Sequence, residues 1–372
     1  VYFLNKFKIP TNSESLLEPI VIIQVTVSND TLSGSSYVEL IVNTPPQNGT
    51  LQIMPTAGNS LSTLFNIIPS GWVDEDAPFS YSFYYGYNQS ESHLFEILSP
   101  QQKSPLLISF LPGKPATSEI FVKVVVSDVY GASSQAIASA QVNLTSPNIT
   151  AELEYLTELI SSLSENDPIT KFNILAISSE EIKNILSTLE LSSTKCPQCS
   201  GRGSCRDPDQ PKTCICDLGF APPYCTLSLD DFNAIQDLKQ LMLEELNKTY
   251  INSEGLSKDQ FYESLTHVSS NPYFNNNQTL IIIQDILNST LGAARPENNL
   301  TSYYSDKLAN ILNNLMSFAS INDCNFLTQF SQNLLDDVII YFDKISQSTL
   351  ENKFTNEHSS SIITNNFDIS VG

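Results

Sequence analysis

Two periodicities divide the chain. From Val21 to about Val142 the apolar residues come in short runs rich in Val, Ile, Phe and Tyr, among them SYVELIV, LFNII, FSYSFYYGY, PLLISF and IFVKVVVSD. Pro, Gly, Asn and Ser separate these runs, as they separate strands. About seven strands at this spacing predict two antiparallel sheets packed face to face. PPQNG at Pro45 to Gly49 and PTAGN at Pro55 to Asn59 read as turns, since proline presets one dihedral while glycine and asparagine tolerate a positive one.

Helical spacing follows. Leu153, Leu156, Leu159, Ile160 and Leu163 place one apolar face on a helix from Ile149 to Leu163. Ser178 or Ser179 is placed to cap a helix running to about Leu189, with Glu180 and Glu181 complementing its dipole and a separate piece at Ile169 to Ile177 before it. Ser228 to Asp231 reads as a capping-box-like start of a helix reaching about Thr249. Ser257 with Gln260 opens another, and Gln278 to Leu291 and Ser302 to Phe318 follow. The longest stripe runs from Phe326 through Phe330, Leu334, Val338 and Phe342 to Ile345, which predicts burial in a bundle. At Ile362, Phe367, Ile369 and Val371 alternation returns and predicts a strand.

Together these patterns describe a multidomain chain, α+β overall. Residues 1–147 form a β-sandwich of the immunoglobulin or fibronectin-III-like kind, 148–195 a helical connector, and 196–225 a small cysteine-rich module. A helical bundle at 226–350 and a linker with the first strand of a following β domain at 351–372 complete it. A length of 372 residues suits two or three domains. Eighteen basic against forty acidic residues leave a net charge of −22, which repels nucleic acid and anionic lipid. No run of about 18 apolar residues is present to span a membrane. The chain opens on Val1 without a basic-then-apolar leader, as a piece of something longer would.

Six of the seven cysteines fall between Cys196 and Cys225. Cys196, Cys199, Cys214 and Cys216 could supply four thiolates to zinc, but Cys205 and Cys225 would then have no role. A disulfide set uses all six and staples a segment too short to hold itself folded by apolar burial. It also places the chain in an oxidising compartment. The ending Cys214-Ile-Cys216-Asp-Leu-Gly219-Phe220, with Cys225 closing it, resembles the C-terminal part of epidermal-growth-factor-like (EGF-like) modules. That resemblance implies the pairs Cys196–Cys205, Cys199–Cys214 and Cys216–Cys225. Ser192 to Lys195 lack the acidic and amide residues of the calcium-binding subtype, so no calcium is expected there. Cys324 is left over and reads as a buried free thiol.

A second resemblance lies in PPQNGTLQIMPTAGNSLSTLFNIIPSGWVDEDAPFSYSF and in SDVYGA at Ser127 to Ala132. Through Pro45, Pro46, Gly49, Pro55, Gly58, Thr63, Phe65, Gly71, Trp72, Asp74, Pro78 and Tyr81 it resembles the last part of the receptor-for-egg-jelly (REJ) region of polycystins and related ciliary and sperm receptors. Members of that family carry cysteines near the positions of Leu51 and Pro69, where this chain has none. Helices followed by a strand downstream of such a module are similar to the start of a GAIN region. The self-cleavage motif of that region is not met by His358-Ser359-Ser360, so any cleavage is expected beyond Gly372.

Candidate chemistry is sparse. Asn29, Asn48, Asn88, Asn143, Asn148, Asn247, Asn277, Asn288 and Asn299 sit in N-x-S/T triplets and are candidate N-glycan sites if the chain is extracellular. Trp72, the one tryptophan, reads as a core plug between sheets. Asp74, Glu75 and Asp76 read as a solvated loop, because alternate side chains on extended chain face opposite ways. His93, His267 and His358 each stand in a polar context with no paired acid in sequence, and Asp230-Asp231 and Asp336-Asp337 read as solvated helix-face charges. No catalytic residue, metal ligand or cofactor other than N-linked glycans is expected, and the chain reads as a non-enzyme.

The family resemblance implies a stalk and ligand-contact segment of a large cell-surface or ciliary receptor. The alternative is a structural subunit of an extracellular coat or filament. Expected partners are other extracellular or ciliary-surface proteins, or copies of the chain itself. A sugar-binding module is a third class, for which FYYGY at Phe83 to Tyr87 is the candidate platform, although its alternation fits a strand.

Overall fold

The computed structural model describes residues 20–28, 33–41, 43–114, 119–144, 148–164, 167–189, 199–205, 214–221, 225–253, 256–292, 302–321, 360–363 and 368–371. The stripe from Phe326 to Ile345 and Cys324 lie outside them.

β1 (Ile20–Ser28) and β2 (Ser33–Ile41) form an antiparallel ribbon in which Gln24 faces Tyr37. Residues 34–39 are all exposed, so both faces of β2 meet solvent. Two larger sheets follow. β3 (Thr50–Met54), β5 (Phe65–Ser70) and β8 (Leu107–Ser109) make a three-stranded sheet in the order β3-β5-β8. β4 (Ala57–Asn59), β6 (Ser80–Gly86), β7 (Glu96–Gln102), β9 (Glu119–Ser127) and β10 (Ser133–Asn143) make the other, in the order β4-β10-β9-β6-β7. Period-two burial on β9 turns Ile120, Val122, Val124 and Val126 inward, against Leu51, Ile53, Phe65 and Ile67 from the smaller sheet.

One pairing differs from the two antiparallel sheets expected. β4 runs parallel to β10, with Ala57 to Asn59 beside Gln141 to Asn143. Within PTAGN the chain bends at Pro55 and Thr56, as a turn would, but Ala57 to Asn59 form an edge strand. Gly58 allows it: a Cβ there would lie 2.5 Å from Thr63 Cγ2, so the missing side chain lets Thr63 fold back on extended backbone. The Thr63 hydroxyl then accepts the Asn59 N–H.

α1 (Ile149–Ser162) starts on Asn148, whose side chain accepts the Ala151 N–H. α2 (Pro168–Leu189) is one continuous helix. This corrects the expected break and cap at Ser178 and Ser179. Both serines are fully buried in mid-helix, and Ser179 satisfies its hydroxyl by donating to Ala176 O. Phe172, Leu175, Ile182, Ile185 and Leu186 keep one buried face through the stretch, so packing overrides the serines' preference for a cap.

α3 (Leu229–Asn252) and α4 (Lys258–Ser269) begin where the capping patterns place them, with Ser228 accepting from Asp231 N and Ser257 from Gln260 N. α5 (Asn277–Gly292) and α6 (Ser302–Ile321) follow. α1 and α2 pack on α3 and α4, so the stretch expected as a connector is part of the bundle. The rings of Tyr250 and Phe261 stack at 4.0 Å, with Phe172 of α2 at 6.5 Å from Tyr250, which ties three helices together. Inward residues of the two larger sheets and of all six described helices belong to one buried cluster. None of the described helices is long and apolar enough to cross a membrane.

β11 (Gly203–Cys205) and β12 (Cys214–Cys216) form a small antiparallel pair. Disulfides join Cys199 to Cys214 and Cys216 to Cys225, two of the three pairs that the EGF-like resemblance implies. Cys196 lies outside the described residues. Leu229 N donates to Gly219 O and Ala221 N to Leu227 O, so the module is sewn onto the start of α3. At the C-terminal end β13 (Ser360–Ile363) pairs with β14 (Asp368–Val371), Ile362 opposite Ile369. A hairpin thus stands where one strand was expected, and each strand satisfies the other's backbone groups.

Candidate functional site

Where the five-stranded sheet meets α2, α4 and α6, the structure assembles a buried set of charges. β7 contributes Glu96, α2 Glu180 and Lys183, α4 Glu263 and His267, and α6 Lys307. His267 is only 3% exposed. Its Nε2 lies 3.2 Å from Glu96 Oε1 and its Nδ1 3.3 Å from Glu180 Oε2. Lys183 donates to Glu96 Oε1 at 3.0 Å and to Glu180 Oε2 at 2.8 Å. Tyr85 donates to Glu96 Oε2 at 2.7 Å. Glu263 takes the Ile97 N–H at 3.0 Å and the Lys307 ammonium at 3.1 Å.

This corrects the reading of His267 as a histidine without a paired acid. Its acids stand on α2, on β7 and four residues back on its own helix, and only folding brings the first two to it. The His93 side chain and His358 lie outside what the structure describes.

The carboxyls respond differently to shared burial. Burial pushes Glu96 up, but His267, Lys183 and Lys307 outweigh it and hold Glu96 well below the usual glutamate value. Glu180 and Glu263 go the other way. Burial and then the charge of Glu96 raise both, beyond what the neighbouring cations return. Burial lowers Lys183, yet Glu180 and Glu96 more than restore it, and it stays protonated. Tyr85 is pushed well above its ordinary value by burial and by Glu96.

Ligand atoms of Glu96, Glu263 and His267 lie within 4.8 Å of one another, close enough to share a divalent ion. Each carboxylate is already held by a lysine, and the adjoining void of about 10 Å³ is no larger than one water. The arrangement is chemically an interlock: three acids, two ammonium groups and an imidazole hold a sheet to three helices. Ser179 of α2 stands 3.4 Å from His267 Nδ1, but it is fully buried and its hydroxyl donates to Ala176 O, so it holds the helix and is closed off from any substrate.

A second interlock lies nearby. Glu181 of α2 accepts from Ser60 Oγ at 2.8 Å and faces the Glu152 carboxyl of α1. Burial first, and Glu152 after it, raise Glu181 well above the usual value against the pull of Ser60. Both residues are about fully buried.

The chain bends at Glu75 and Asp76, where Asp74 Oδ1 accepts the Asp76 N–H at 2.8 Å, and the carboxylates of Asp74 and Asp76 come within 4.8 Å of one from Asp128. Glu75 is solvated as expected, while Asp74 and Asp76 are half-buried and the Asp76 carbonyl accepts the Val129 N–H of SDVYGA. Asp128 Oδ1 accepts N–H groups from Tyr130, Gly131 and Ala132, and Oδ2 the Asn43 amide. Burial raises this carboxyl, but those four donors outweigh it and lower it overall. Asp231, read as a solvated charge, accepts from Ser228 and Thr150, so it caps α3 and contacts α1. Asp336 and Asp337 lie outside the described residues.

Trp72 is half-buried and packs against the core cluster, as its reading as a core residue expects, though it is not fully enclosed. Its ring lies on Gly49, where a Cβ would come within 1.9 Å. Gly71, beside it, takes φ 77°. Leu51 and Pro69 stand directly opposite each other on β3 and β5. Asn48, Asn88, Asn143, Asn148, Asn277 and Asn288 are exposed and Asn247 is half-buried, while Asn29 and Asn299 lie outside the described residues.

The positions that carry the resemblance therefore hold up turns and close approaches of one sandwich. Residues 12–168 match the family model of the REJ domain. The REJ match takes in β1 to β10 and α1, and it ends at Pro168, the first residue of α2. No curated protein matches the chain. Among solved structures, a beta-1,2-glucanase from Parabacteroides distasonis aligns at 13% identity and a TM-score of 0.19, over 74% of this chain and 51% of that one. The chain thus spans about half the length of that enzyme, and so low a TM-score carries no argument about fold or activity.

Proposed function

We propose that the chain is a non-catalytic extracellular segment of a large, polycystin-like REJ surface glycoprotein, serving as stalk and as adhesion or ligand-contact region of a ciliary or cell-surface receptor. The observation that carries this reading is the REJ match over residues 12–168. Geometry supports the stalk role. A sandwich and a bundle that share one buried cluster and a buried ionic interlock transmit load as one body. In the same reading the disulfide-bonded segment after Cys199 is an EGF-like module, and the helices from α3 onward are the start of a GAIN-like region.

Peptide mapping of natively produced protein without reduction tests the compartment. The expected result is Cys196–Cys205, Cys199–Cys214 and Cys216–Cys225 in full, with surface labelling of intact cells. Reduced thiols, or zinc held by them, would overturn the reading.

A further inference from the structure

Beside the ionic interlock the surface opens into a cavity of about 420 Å³, large enough for one or two sugar rings. Its floor is aromatic. Gly86 has no side chain, and a Cβ there would lie 2.7 Å from Phe95 Cδ2, so the Phe95 ring lies directly on the strand. Tyr87 stands edge-on to Tyr85, with the Lys114 ammonium 4.7 Å from its ring centre. The walls are polar and of both signs: Lys183 and Asn184 come from α2, and Glu91 from the rim. Asn184 donates to the Tyr87 hydroxyl at 2.7 Å, which fixes that ring. Phe95 and Tyr85 are nearly buried and Lys114 covers the Tyr87 ring, so the open apolar surface is the exposed Leu94 with the aromatic edges; hydroxyl, amide, ammonium and carboxylate groups around it suit a neutral polyhydroxylated ring, whose C–H face packs on that apolar surface while its hydroxyls bond the walls.

Asn88, in the triplet Asn88-Gln89-Ser90, lies on the wall of this cavity. It is exposed, and its Oδ1 accepts from Ser90 N at 3.1 Å and from Ser90 Oγ at 2.7 Å. Its Nδ2, the atom that carries an N-linked glycan, makes no hydrogen bond among the described residues. We propose that the cavity is a saccharide site, filled by the first sugars of a glycan on Asn88. The covalent step joins Nδ2 to the anomeric carbon of a lipid-diphosphate-linked oligosaccharide; the carbon–oxygen bond to the diphosphate breaks and the amide loses one proton. The inference rests on the extracellular reading above.

The test uses the whole chain secreted from a glycosylating host, with glycopeptide mapping and labelling of Lys114 by an amine-reactive acetylating agent. Asn88 is expected to be occupied, and Lys114 to label several-fold more slowly than in Asn88→Gln, with Ser90→Thr retaining the protection. On the folded wild type, trimming to the innermost sugar should preserve the protection and complete removal abolish it. Asn88 bare while other sequons are occupied would overturn the proposal and leave the extracellular reading standing; all sequons bare would overturn both. An occupied Asn88 with no effect on Lys114 would show the glycan pointing away, and protection of Lys114 in Asn88→Gln by free oligosaccharide would reassign the cavity to a partner's sugar. Either result sinks the proposal as stated.

Discussion

Nε2 of His267 lies 3.2 Å from Oε1 of Glu96, joining residues 171 positions apart across the boundary between sheet and helices. Replacing Glu96 strips Lys183 of a buried counter-charge, and replacing His267 leaves Glu96 and Glu180 without the ring between them. Glu96→Gln and His267→Ala are each expected to lower unfolding free energy by about 3–5 kcal/mol in urea titrations, and Lys183→Ala, at a more exposed site, by less. Glu96 is depressed in the folded chain, so its contribution is present above the ordinary glutamate value and lost as pH falls through the folded one. Wild type and Glu96→Gln should therefore converge in acid.

Glu181 has the opposite sign. Its raised value means that the folded chain keeps a proton after the unfolded chain has lost it, so stability falls as pH rises from the ordinary glutamate value through the folded one. Glu181→Gln keeps an acceptor for Ser60 and offers Glu152 an N–H. It should flatten the decline and gain about 1–3 kcal/mol near pH 8, read from melting curves across pH.

Lys239 of α3 is fully buried, donates to Ser270 O at 2.7 Å and is pushed down to about 7 by burial. The unfolded lysine titrates near 10.4, so stability should climb with pH between about 7 and that value. Lys239→Met should abolish the slope and stabilise the protein at neutral pH by about 2–4 kcal/mol, less the loss of the Ser270 bond. A slope that persists in the variant would show the ammonium to be solvated.

Leu51 and Pro69 are cross-strand partners, both buried. Directly opposed antiparallel residues have Cα atoms about 4.5–5.5 Å apart, inside the range a disulfide spans. The double variant Leu51→Cys with Pro69→Cys should oxidise spontaneously and gain about 2–3 kcal/mol, seen as a mass difference on reduction and a shifted denaturation midpoint.

Legibility followed the range of the interaction. Ser228 and Ser257 bond backbone three residues away, so the starts of α3 and α4 could be read from the chain alone. β9 alternates visibly because one of its faces is buried along its whole length. The parallel strand at PTAGN was hidden, since its partner lies beyond residue 140 and Gly58 carries the signal of a turn. Ser178 and Ser179 looked like caps because local hydrogen bonding says nothing of the elements, α4 foremost, that pack on α2. The charged interlock was the least legible. His267, Glu96 and Glu180 lie far apart in sequence, and the available sign was a cost: glutamates in a helix stretch whose neighbours are Ile177, Ile182 and Ile185.

The REJ match ends where α2 begins, yet Glu180, Lys183 and Asn184 of α2 are what close over Tyr87 and Glu96. A fragment trimmed at Pro168 would strip Glu96 of its Lys183 partner and Tyr87 of its Asn184 partner. The smallest piece that preserves this seam therefore runs at least through Leu189, the last residue of α2.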